Sequence, residues 1–195
     1  MLAENKENTM SPNRSLEEQR AEFASRRLIA TPIAGLVAWL IVAVGSLFLG
    51  PVAISLLTFA ATGSIVYLGL FISKLTGEDF LDKSRPKNTF DALFMYSVGM
   101  AVLVYAIAIP FFMTDYTSLP LTIGVLTGLM WLPISWIIQH WIGVVHGVLR
   151  TVLVVVAWYV FPEQRFLAVS LVIIVLYIAA ITVLERRWRN LHRAG

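Results

Sequence analysis

The stretch Gly124–Phe161 reads GVLTGLMWLPISWIIQHWIGVVHGVLRTVLVVVAWYVF. Two apolar runs flank the more polar interruption QHWIG. Each run approaches the roughly 20 residues that a helix needs to cross a hydrocarbon core. The reading is two transmembrane helices joined by a tight turn near Gly143. The stretch also carries nearly all the polar groups placed within or close to an apolar run: Ser135, Gln139, His140, His146 and Arg150.

Outward from this hairpin the same pattern recurs. Six apolar runs are legible, at about 31–49, 52–73, 89–112, 119–142, 144–161 and 163–184. With their short connections they occupy nearly all of the chain between residues 28 and 185, so no second, soluble domain is expected. The chain is 58% hydrophobic and 14% charged, against about 25% charged in soluble domains. Lipid is the expected solvent. The fold class is all-α: a polytopic membrane protein, a bundle of six transmembrane helices with an N-terminal interfacial helix. Cysteine is absent, which excludes disulfides, thiol catalysis and zinc–thiolate sites.

Residues 1–27 are polar and lack the apolar core of a cleaved signal peptide. Met1–Asn13 reads as disordered. Ser15-Leu16-Glu17-Glu18 fits a capping box, in which the serine hydroxyl and the glutamate satisfy each other's backbone amides. A helix lying in the membrane interface is expected to follow, as far as about Ile29. Gly50-Pro51 is too short for anything but an antiparallel turn. Asn88 with Asp91 caps the third span, and Pro110 is expected to kink its far end. Residues 186–195 form a basic tail.

The charge distribution gives the orientation. Fourteen of the fifteen lysines and arginines fall in alternate connections, with Arg150 counted at the Gly143 turn; Arg165 alone lies on the other side. By the positive-inside rule both termini are cytoplasmic. The net charge of +3 is thereby explained without nucleic acid. The expected partner is the bilayer, through anionic headgroups on the cytoplasmic side.

The candidate polar site comprises Trp131, Pro133, Ser135, Gln139, His140, His146 and Arg150. Trp131, Ser135 and Gln139 are four residues apart and share a helix face, as do His146 and Arg150. Across a tight hairpin the histidines and Arg150 can converge near the cytoplasmic boundary. One reading is a small-anion or lipid-phosphate site, or a proton relay through the histidines. The other is that Arg150 snorkels to headgroups. Pro133 frees the carbonyl of Leu129 and is expected to bend its helix. The pairs Gly124/Gly128 and Gly143/Gly147 allow close helix approach. Glu78, Asp79 and Asp82 read as a solvated, headgroup-contacting loop. No carboxylate lies deep within any run, Asp91 and Glu163 standing in the first turns of theirs, which disfavours proton- or sodium-coupled carriers. No nucleophile–base set, phosphate-binding glycine loop or metal motif is visible. No cofactor and no enzymatic activity are expected.

Several short stretches resemble an uncharacterised family of small bacterial six-helix membrane proteins, a domain of unknown function. They are Ser73-Lys74-Leu75, Asp79-Phe80, Asn88, Gly128, Leu132-Pro133 and Ser135-Trp136, and the resemblance covers roughly residues 25–185. It implies the architecture and an inner-membrane location, not a mechanism. Two function classes follow. One is a small permease or channel-like facilitator with a pathway beside the fourth and fifth helices. The other is a non-catalytic protein that binds lipid or a partner through its basic cytoplasmic face.

Overall fold

The computed structural model describes residues 14–82 and 84–193. The expected disorder of Met1–Asn13 lies outside them. Among the described residues the chain is all-helical: α1 (Leu16–Ser25), α2 (Ala30–Gly45), α3 (Pro51–Gly63), α4 (Ile65–Leu75), α5 (Thr89–Leu103), α6 (Tyr105–Thr114), α7 (Ser118–Leu129), α8 (Trp131–Ile138), α9 (Ile142–Val160) and α10 (Arg165–Arg193), the last preceded by one 3-10 turn. Among the described residues, four helices are long and apolar enough to cross a membrane: α5–α6, α7–α8, α9 and α10. The number rises to six if α1–α2, bent by 47°, and α3–α4, bent by 45°, each count as one span.

The breaks within spans have local causes. The α3–α4 bend falls at Gly63-Ser64, a pair that commonly marks a kink. On its approach Thr58 and Thr62 donate to the carbonyls of Ile54 and Thr58, and such back-bonding bends helices. The α7–α8 break falls at Met130, three residues before Pro133, which has no amide to donate to Leu129. The third span breaks at Val104, while Pro110 stays inside α6. The turn between α8 and α9 is not made by Gly143. Gln139 ends α8 in the left-handed conformation at φ 51°. Gly143 lies inside α9, packed so closely that a Cβ would sit 2.4 Å from the Trp131 carbonyl oxygen. Residues 186–193 of the basic tail continue α10.

The core forms where α10 packs on α2 and α9, with α7 and α8 against α9. Trp39, Ile137, Val154, Val169 and Ile173 are fully enclosed there. α1 is docked on the other helices. Its capping box is complete, and Phe23 is buried. Arg26 pairs with Glu22 and Asp91. Arg20 stacks on Trp136 at 4.6 Å, and Asn88 donates to the Gln19 carbonyl and the Glu22 carboxylate. Arg27 makes a two-pronged bond to Glu185 of α10, at 2.7 and 3.0 Å.

The loop after α4 corrects the solvated reading. Glu78 is only 4% exposed. Its Oε1 accepts from the amides of Ile29 and Ala30, at 3.0 and 2.9 Å, and from the Thr76 hydroxyl at 3.1 Å. A residue from a distant loop thus caps α2, whose own N-cap, Ile29, has no side chain able to accept. Burial pushes the Glu78 carboxyl up, against those hydrogen bonds and the nearby Arg27. Leu28 enters this junction at φ 61°, a strained conformation for leucine that the surrounding contacts must hold.

Candidate functional site

The seven candidate residues divide into two groups. Trp131, His146 and Arg150 come together. Trp131 opens α8, and its ring stacks on that of His146 with centroids 4.0 Å apart. His146 is buried and its Nε2 has no partner among the described residues. One turn on, Arg150 is 0% exposed. It is the ninth residue of α9, about 12 Å along the helix at 1.5 Å per residue. It does not snorkel: its guanidinium stays in the interior.

Ser135, Gln139 and His140 do not join them. Ser135 donates to the His140 carbonyl at 2.5 Å, closing the α8 terminus. Gln139 is exposed and donates to the Trp136 carbonyl. His140 Nδ1 accepts from the Ile142 amide; burial and the positive charge of Arg187 hold its imidazole below the usual histidine range. Pro133 is half-buried in α8, one turn below the break it causes.

Arg150 recruits groups from two other helices. Its Nε donates to the Gly124 carbonyl at 2.8 Å, Nη1 to the Tyr177 hydroxyl at 2.9 Å and Nη2 to the Thr127 hydroxyl at 2.9 Å. The Tyr177 ring also lies 5.3 Å from that of His146. Glycines make the room. A Cβ on Gly128 would stand 2.9 Å from Arg150 Cδ, and one on Gly35 would stand 2.5 Å from the Tyr177 hydroxyl. Thr127 and Tyr177 were not candidates on sequence. A signal existed for Tyr177: within the apolar part of α10, Ser170 and Tyr177 are seven residues apart, hence on one helix face.

Beside this cluster lies an apolar cavity of about 110 Å³. Its walls come mainly from α4, α5 and α8, with one or two residues each from α2 and other helices, and Thr127 of α7, Trp131 of α8 and Tyr177 of α10 form part of them. Toward α1 it ends at the aromatic side chains of Phe23, Phe80 and Phe94, with Phe94 at 6.1 and 5.5 Å from the other two. Between α4 and α5 its rim carries the exposed residues Gly63, Met95 and Val102.

An all-helical chain with several helices apolar enough to cross a membrane, and polar side chains gathered inside it, has the makings of a membrane protein. Residues 16–187 match the model of a family of unknown function (DUF7010). The chain belongs to that family. No curated protein and no solved structure matches it.

Proposed function

We propose that this chain is a six-span protein of a bacterial cytoplasmic membrane, with both termini inside, and that it binds a single lipid chain between α4 and α5 without transforming it. Support for the topology is the placement of charge. With Arg150 assigned to the interior, the other basic residues of alternate connections still face Arg165 alone. α1 carries little apolar surface and is tied to the ends of α5 and α10 by ion pairs, which suits a position outside the hydrocarbon layer. The remaining helices then make six spans.

The observation that carries the functional reading is the cavity. Apolar cavities of about 150 Å³ hold a benzene ring in other proteins, so this one, open along its side, takes a segment of a chain whose remainder lies outside the rim. A facilitator of hydrophilic solutes has less support. It would need Ser135, Gln139, His140, His146 and Arg150 around one polar path, and only the last two share a site. Headgroup binding through the basic face is also narrowed. Arg14, Arg20, Arg26, Arg27, Arg85 and Arg189 are already paired with carboxylates of the chain. Among the described residues, exposed Lys74, Lys87, Arg186 and Arg193 remain to meet anionic headgroups.

Native mass spectrometry of protein released from mild detergent tests the reading. Wild type should retain one lipid or single-chain amphiphile, and Val98→Trp, which fills the cavity from the α5 wall that Val98 lines, should lose it. Equal retention in both proteins refutes the cavity as the binding site.

A further inference from the structure

A bilayer poses a selectivity problem for an apolar groove. Lipid tails are as apolar as the groove wall, so moving a chain from one to the other gains little. A polar group must therefore decide which chain is held. The cavity meets such a group where Thr127 and Tyr177 form its wall.

We propose that this wall binds the carboxylate of a single-chain, long-chain carboxylic acid, through the Tyr177 hydroxyl backed by Arg150. The inference rests on the lipid-chain reading above. Arg150 stands one layer behind the wall and is 0% exposed. A guanidinium has five N–H donors, and three go to the neutral acceptors Gly124, Tyr177 and Thr127. No carboxylate pairs with Arg150 among the described residues. A buried charge without a counterion is costly, and an ionisable residue within a span is a functional signal for that reason.

The hydroxyls show where an acceptor fits. Thr127 spends its proton on the Ile123 carbonyl at 2.6 Å. Tyr177 receives Arg150 Nη1 and has no acceptor for its own proton among the described residues. Its O–H is a donor strengthened by the adjacent cation, in a side chain that lines the cavity. The buried, unpartnered Nε2 of His146 is close behind. Gly35 and Gly128 hold open the space that Tyr177 and Arg150 occupy.

Charge selects the headgroup. A carboxylate carries one negative charge and balances Arg150. A phosphate monoester, with about −1.5 to −2 charges, leaves an excess anion deep in the protein. A quaternary ammonium is repelled, and an alcohol leaves Arg150 uncompensated. The chain would lie from Tyr177 toward the rim at Met95 and Val102.

The test compares four probes of one chain length on delipidated protein in detergent: palmitate, hexadecanol, hexadecyl phosphate and hexadecyltrimethylammonium. Wild type should bind palmitate at least about tenfold more tightly than the other three. Arg150→Met should erase that preference, so that palmitate and hexadecanol bind the variant within about twofold of each other. Tyr177→Phe should weaken palmitate about fivefold or more, and it carries the test if the arginine variant does not fold. Val98→Trp should abolish binding of every probe. If the four probes bind wild type equally, or hexadecyl phosphate binds best, the carboxylate inference fails while the lipid-chain reading stands. If no probe binds wild type, or Val98→Trp changes nothing, the lipid-chain reading itself fails.

Discussion

The α5–α6 span and the α7–α10 group are built from similar residues and packed in different ways. In the most apolar window of α5–α6, 11% of residues are buried; in that of α10, 44% are. Their glycines make the same contrast. A Cβ on Gly143 would meet backbone atoms at 2.4 and 2.9 Å, whereas one on Gly99 of α5 would meet nothing within 4 Å. α5 is held chiefly at its N-terminal end, by α1 and by Asn88, and leaves the cavity between itself and α4. One side of the molecule is a closed interior around Arg150. The other is an open wall, where the proposed lipid chain would lie.

The contrast is broken or sharpened most strongly at Gly143. Gly143→Ala should cost about 2–3 kcal/mol, the scale of overpacking a tight contact, seen as a lower unfolding midpoint in mixed detergent–SDS micelles. An unchanged midpoint would mean that the α8–α9 contact can yield. Next, Asn88→Ala removes the α5 cap and two bonds to α1. It should cost about 1–2 kcal/mol, and faster hydrogen exchange should appear in α5 but not in α9. Exchange rising equally in both helices would make them one cooperative unit.

Glu78 comes third. Glu78→Ala should lower stability by about 1 kcal/mol, the value of a helix cap. The pH dependence has a definite sign. The folded state raises the Glu78 carboxyl above its ordinary 4.5, so the folded protein holds that proton to higher pH than the unfolded chain. The associated stability is present below about 4.5 and is lost as pH rises through the folded value. Wild type should therefore gain on Glu78→Gln as pH falls from about 7 toward 5. A gain in the opposite direction refutes the raised carboxyl. The smallest effect belongs to Gly99→Ala. It should leave stability unchanged or raise it by up to about 0.5 kcal/mol, since alanine is the better helix former. A loss comparable to that at Gly143 would remove the contrast.

Much of the helical layout was legible. Apolar runs located the helices because each must satisfy its own backbone in lipid. Ser15 and Asn88 marked caps that the structure contains, since short polar side chains reach orphan amides locally. Pro133 marked a break, through a missing donor. The candidate site was legible in part. The four-residue spacing of His146 and Arg150 put them on one face, and Trp131 joined them. Ser135, Gln139 and His140 did not, because the left-handed turn at Gln139 ends α8 and commits their polar atoms to local bonds.

Short-range chemistry is what the sequence determined by itself: helix positions, caps, breaks and the apolar character of the spans. The tertiary structure alone decided the partners. Arg150 meets Tyr177 and Thr127, 27 and 23 positions away, and Glu78 caps a helix that begins 48 residues earlier. Hydropathy is a property of one segment and carries no record of which face meets which neighbour. A buried guanidinium and a snorkelling one look alike in the chain. Only the glycine-made space around Arg150 tells them apart.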